Sequence, residues 1–203
     1  MESDVFHTLL GPSEGLFKAK GSKHLGFVFP VASEAEVSHH LAALKKEYHD
    51  ARHHAYAFRL GHFGEQWRAS DDGEPSNSAG PPILGALRSH ELTWTLGVVV
   101  RYFGGTKLGV SGLIEAYREA IIDAIRNGTV LQKFITVNFL VACPYDLLGL
   151  IMSVGERFSA TIAHQAFTDR CTIEMRVRQT RAQAFEQEVQ AIYGCTITAL
   201  PIE

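Results

Sequence analysis

The chain is short of cysteine, of long apolar runs and of net charge, and each shortage excludes something. Its three cysteines, Cys143, Cys171 and Cys195, are an odd number with no close pair, so they make neither a disulfide framework nor a zinc pattern. They read as buried apolar thiols. No stretch approaches the roughly 18–20 consecutive apolar residues that a membrane helix needs. Acids stand near the N-terminus where a secretory signal carries basic residues. The expected compartment is the cytoplasm, with no membrane contact. A formal net charge of −3 rules out a surface that attracts polyanions everywhere. Any contact with nucleic acid then has to come from a local basic patch. Internal repeats, low-complexity tracts and Pro/Ser-rich linkers are also missing.

What is present is a chain of 203 residues with an ordinary globular balance of apolar and charged residues, enough for one large core or two small ones. Residues 5–17 pattern weakly. Residues 24–31 read as a strand. Ser33 and Glu36 form a capping box, after which Val37, Leu41, Leu44 and Tyr48 make one helical stripe. Residues 54–60 alternate as a strand, and residues 94–103, rich in valine and aromatics, have the profile of a central strand. Ser111 is the expected N-cap of a helix whose stripe is Leu113, Ile114, Tyr117, Ile121, Ala124 and Ile125, closed by Asn127 and Gly128. Beyond Gly128 the order becomes strand (133–142), helix (144–156), two strands (161–167 and 171–177), helix (181–192) and strand (196–201). That βαββαβ order is ferredoxin-like. The expected fold is α+β in two domains, residues 1–130 and 131–203.

Two loops between these elements are specialised beyond what a connection needs. One is acidic: Asp71, Asp72, Gly73, Glu74, Pro75 and Ser76, leading into a turn of small residues from Ser78 through Gly80 to Pro82. The other is glycine-rich: Arg101, Tyr102, Phe103, Gly104, Gly105, Thr106, Lys107, Leu108 and Gly109, with Gly112 just beyond. Glycines allow close backbone approach, Arg101 and Lys107 add positive charge, and an expected helix N-terminus near Gly112 points amides the same way. Those parts suit an anion such as a phosphate. The spacing is not Walker A, because Val110 stands where that motif needs lysine, and it is not G-x-G-x-x-G. A tight strand–helix turn whose glycines only serve packing is the plainer alternative.

The carboxylates of the acidic loop could ligate Mg²⁺ or act as general acid and base, or they could form a structural or recognition turn paired with Arg68, Arg101 or Lys107. The ten histidines include His49, His53, His54 and His62, but no cysteine in this half completes a zinc set. No G-x-S-x-G elbow is present. In the second half Arg170, Arg176, Arg178 and Arg181 cluster on a strand and its exit, and Arg176 and Arg178 share parity. They make either an RNA-binding sheet face or a solvated one.

The segments RASDDGEPSNSAG (residues 68–80) and RYFGGTKLGVSGLIEAY (residues 101–117) closely resemble the signature of the YigZ/IMPACT family. DARHHAYA (residues 50–57) resembles that family's motif before the acidic loop, and it adds Arg52 and His54 to the candidate binding residues. The likeness spans roughly residues 17–127, and residues 130–203 look like the second domain of bacterial members. Asn77, Pro81, Val110 and Ser111 depart from the pattern. The resemblance implies a first domain like the second domain of ribosomal protein S5. It implies a second like the ferredoxin-like last domain of elongation factor G. Eukaryotic relatives bind the activator of a stress-responsive initiation-factor kinase and restrain it. The expected function is therefore non-catalytic: binding RNA, the ribosome or a translation-associated protein, with no cofactor and no metal. The alternatives are a hydrolase using Asp71, Asp72 or Glu74, and a protein-binding regulator without nucleic-acid contact. The oligomeric state is not readable from the sequence.

Overall fold

The computed structural model describes residues 4–201 as an α+β chain of two compact units. One unit is Phe6–Lys133. The other runs from Phe134 onward and takes in Asp4 and Val5.

The first unit is built on a five-stranded antiparallel sheet. Its strands are β2 (Ser13–Ala19), β3 (Ser22–Pro30), β4 (His53–Leu60), β5 (Gln66–Ser70) and β6 (Thr95–Tyr102), in the order β2-β3-β6-β4-β5. β6 is central because both its faces are apolar: Leu96, Val98, Val99 and Val100 are fully buried. Helix α1 (Glu34–Glu47) supplies Val37 and Leu44 to the core on one face, with Phe27, Phe58, Leu96, Val98 and Val100. Its capping box forms, with Ser33 Oγ accepting from Glu36 N and the Glu36 carboxylate from Ala32 N. Helices α2 (Gly80–Ser89) and α3 (Gly109–Asn127) cover the other face, packing Ile83, Leu87, Tyr117 and Ile121 on Ala55, Ala57 and Val99. The helix α3 lies so close to β3 that a Cβ on Gly26 would come 2.2 Å from the Ala120 carbonyl oxygen. Strands β1 (Val5–Leu9) and β7 (Val130–Phe134) form a separate two-stranded sheet.

The second unit contains β8 (Thr136–Cys143), α4 (Leu148–Arg157), β9 (Thr161–Phe167), β10 (Cys171–Arg178), α5 (Gln179–Gln190) and β11 (Thr196–Ala199). The sheet order β11-β8-β10-β9, all antiparallel, is the ferredoxin-like arrangement. Phe139, Val141, Ile173, Met175 and Val177 alternate inward against Ile151, Val154, Phe185 and Val189 of the helices.

Three expectations change, and one strand is added to them. The turn at residues 78–82 is the start of α2: Pro81 and Pro82 occupy its first turn, where no intrahelical N–H is required. Strand β5, largely exposed and without alternation, carries no periodic signal. The single strand expected over 133–142 is two strands in different sheets, broken at Ile135. The basic stripe on β10 is tied down in part, with Arg176 exposed. Arg178 donates to both Asp4 carboxylate oxygens and stacks 3.8 Å from the centre of the Phe134 ring, while Arg170 donates to the Gly194 carbonyl.

Candidate functional site

The site begins as a row of side chains across three strands. Arg101 on β6 stands directly between His24 on β3 and His53 on β4. Alternation puts all three on the face that carries α2 and α3, two residues on from Val99 on β6. Glu74 reaches over this row from the acidic loop. Its Oε1 accepts from Arg101 Nη1 at 2.5 Å and from the Tyr117 hydroxyl of α3 at 2.7 Å. The side chains of Glu74 and Arg101 are only 4% and 8% exposed, so the pair sits inside the protein. Burial and the Glu74 bond push the Tyr117 hydroxyl far above its usual range. His53 Nδ1 lies 2.9 Å from the Asp72 carbonyl oxygen, so Nδ1 carries the proton and donates. Its Nε2 is 3.9 Å from Glu74 Oε1.

His24 completes the row as a neutral imidazole. Burial, and then the neighbouring Arg101 charge, pull it down to about 4. Its ring meets Tyr117 edge-on at 5.2 Å. Neither ring nitrogen makes a hydrogen bond of good geometry among the described residues, although the Phe17 backbone lies beside it.

The rest of the acidic loop holds Glu74 in place. Ala79 is the N-cap of α2 and has no side-chain acceptor for the first amides. Asp71 does that work from a distance: Oδ1 accepts from Ala79 N and Gly80 N at 2.9 and 2.8 Å, and Oδ2 from Asn77 N at 2.8 Å. Asp72 Oδ2 accepts from His54 N at 2.7 Å, beyond the point where β5 stops pairing with β4. Lys45 lies 3.7 Å from its other oxygen. Asp72 and Gly73 both have left-handed backbone, φ +44° and +84°, and this reversal turns Glu74 inward. Gly80 packs against the Ser70 backbone, and Ser76 is exposed.

The glycine-rich loop is pinned at one end. A Cβ on Gly104 would fall 1.9 Å from the Gly21 carbonyl carbon, so only glycine fits against the β2–β3 turn, and its N–H donates to Ser22 Oγ at 3.1 Å. The helix α3 starts at Gly109, so Ser111 and Gly112 lie within its first turn and Ser111 is not the N-cap. The left-handed φ of +77° at Gly109 lets the chain turn into the helix earlier than the serine implied.

The two loops line one open cavity of about 400 Å³. Arg52, His53, Glu74, Pro75 and Arg101 form one side, and Phe103, Lys107, Leu108, Gly109, Val110 and Leu113 the other. Arg52 and Lys107 are exposed cations, and the Phe103 ring is 53% exposed with the Arg101 guanidinium 5.6 Å from its centre. Of the expected residues, Arg52, Glu74, Pro75, Arg101, Phe103, Lys107 and Gly109 come together here. Asp71, Asp72, Gly73, Ser76, Gly80, Gly104, Gly105 and Gly112 do not line the cavity.

Two more expected residues face away from it. His54 points to the α1 face, near the backbone of Leu44 and Tyr48, where burial lowers its proton affinity. Tyr102 donates to Asp50 Oδ1 at 2.7 Å, a bond that pushes its hydroxyl up to about 12. His24, His53, Tyr117 and the apolar residues Leu108, Val110 and Leu113 were not among the expected binding residues. Strand register is what aligns the histidines with Arg101, and one strand read alone does not reveal it. Among the described residues no group of three or more His, Cys, Asp or Glu is placed to hold a metal ion, and no helix is long and apolar enough to cross a membrane.

A family model described as the Impact N-terminal domain matches residues 20–125. The chain is 30% identical over 157 residues to IMPACT family member YvyE of Bacillus subtilis, covering 77% of this chain and 72% of that protein. The chain belongs to the IMPACT family. An IMPACT family member of Haemophilus influenzae is 33% identical over 153 residues, covering 73% of each chain. IMPACT family member YigZ of Escherichia coli is 36% identical over 117 residues, covering 56% of this chain and 57% of its own. A second family model, a domain of unknown function (DUF1949), matches residues 141–194. A crystal structure of a hypothetical protein shares the fold over 100% of this chain and 99% of its own, with a TM-score of 0.68 at 24% identity. In this IMPACT family member the cavity and both loops fall inside the stretch matched by the N-terminal model.

Proposed function

We propose that this IMPACT family member binds RNA, free or within the ribosome, through the cavity between its two loops, and that it acts in the regulation of translation. The observation that carries this reading is the lining of the cavity, to which exposed Arg52, exposed Lys107 and the exposed Phe103 ring all contribute. Cations with an aromatic platform match phosphate and base together. With a net charge of −3 over the whole chain, these cations are a local feature and not part of a general basic surface. Family membership supports the translational setting.

The acids carry structural duties, which favours the binding reading. Asp71 has both oxygens occupied by backbone amides at the start of α2, and Glu74 is committed through Oε1 to Arg101 and Tyr117.

Filter binding with single-stranded RNA, and co-sedimentation with ribosomes, at two salt concentrations test the proposal. Affinity should fall steeply with salt. Arg52→Ala and Lys107→Ala should each lower the slope by about one. Phe103→Ala should cost about 1–3 kcal/mol of binding with the slope unchanged. Absence of salt-sensitive binding to any RNA or ribosomal particle overturns the reading.

A further inference from the structure

The second unit holds a group of thiols that RNA binding does not use. Cys143 on β8 and Cys171 on β10 are directly opposed partners in the antiparallel ladder, and both are buried. Cys195 precedes β11, whose first pair is Thr196 with Ala142, so it falls beside Cys143 on the other flank. All three thiols belong to the same core cluster, and Cys143 interacts with both of the others. The protein's only cysteines therefore form a row over three neighbouring strands, with Cys143 in the middle. Residues directly opposed in an antiparallel pair have Cα atoms about 4.5–5.5 Å apart, inside the window that a disulfide needs. Cys195 is the one partly exposed member.

We propose that these thiols form a reversible exchange site for low-molecular-weight disulfides, with attack at Cys195 and an internal Cys143–Cys171 disulfide as the product. The Cys195 thiolate attacks one sulfur of the small disulfide, forms a mixed disulfide and expels one small thiolate. The Cys143 thiolate then attacks the Cys195 sulfur and expels the second. Finally the Cys171 thiolate attacks the Cys143 sulfur and returns Cys195 as a thiolate. Two protein thiols are oxidised by two electrons, and the small disulfide is reduced to two thiols.

Three groups set the pace. Burial raises the Cys195 thiol and pushes Cys143 up to about 11. Arg170, close to both, acts the other way, and Asp146 opposes it at Cys195. Exchange therefore quickens about tenfold per pH unit in the range where these thiols are still mostly protonated.

The test incubates the full chain with oxidised glutathione at pH 7 and pH 9, followed by acid quenching, alkylation and non-reducing peptide mapping. The expected product is a linked Cys143–Cys171 peptide with Cys195 free, formed faster at pH 9. Cys195→Ser should slow its formation at least tenfold, since attack then has to begin at a buried sulfur. Cys143→Ala should accumulate the mixed disulfide on Cys195. If that variant does not fold, Cys171→Ala should stop at a Cys143–Cys195 bond. A wild-type protein that keeps all three thiols, one that retains the mixed disulfide, or a rate unchanged by Cys195→Ser overturns the proposal. A Cys143–Cys195 bond as the final wild-type product overturns the last transfer.

Discussion

Each unit hides one carboxylate against one guanidinium, and the two pairs are finished differently. In the second unit Asp4 accepts from Arg178 twice and from the Thr180 backbone and hydroxyl, so its oxygens are satisfied. Its arginine is 31% exposed. In the first unit Glu74 meets Arg101 and Tyr117 through a single oxygen, and its arginine is 8% exposed. Beside it, Arg101 Nε and both His24 nitrogens lack partners of good geometry among the described residues. The Asp4 pair is a clamp: complete, and needing nothing further. The Glu74 pair borders a cavity, and polar atoms beside it stay buried without partners of good geometry.

The sharpest break of this comparison is Glu74→Ala. It strands a buried guanidinium, and urea unfolding should register a loss of about 3–5 kcal/mol. A loss below about 1 kcal/mol would mean that water from the cavity already hydrates Arg101. Asp4→Ala should cost less, because Arg178 can turn to solvent. Hydrogen exchange should place its effect in the unit from Phe134 onward. Asp71→Ala uncaps α2 and should cost about 1–2 kcal/mol in thermal unfolding, with α2 amides exchanging first.

Acid titration separates the pairs by pH. His24 is depressed from 6.5 to about 4, so the unfolded chain binds its proton more readily. The first unit keeps its full stability above pH 6.5 and loses part of it as the pH falls from 6.5 towards 4. Arg178 holds the Asp4 carboxyl well below its ordinary 3.8, so the second unit keeps that contribution above pH 3.8 and loses it only in stronger acid. His24→Phe should make the upper limb shallower without removing it, since His54 in the same unit is also lowered by burial, and Asp4→Asn should act on the lower limb alone. Stability followed unit by unit against pH checks both.

Elements with periodic apolar patterns were legible in the sequence. The valine run of β6, the stripe of α3 and the strand–helix order of the second unit need no long-range information. Helix α2 was not legible, because its first turn is glycine and two prolines, and its remaining core residues span too few turns to show a period. The two loops stood out by composition, but the work of each residue did not. Asp71 looked like a ligand and is a helix cap at a distance of eight and nine residues. His54 and Tyr102 sat next to the right residues in sequence, and alternation sends them to the opposite face. His24 and His53 joined the site only once three strands were set in register.

The Asp4–Arg178 contact joins residues 174 positions apart. As the chain is synthesised, Asp4 emerges before Arg178 and Thr180 and waits for them to follow. The sheet of Phe6–Lys133 can close during that interval. Completion of the second unit then requires Asp4 to meet Arg178 and Thr180.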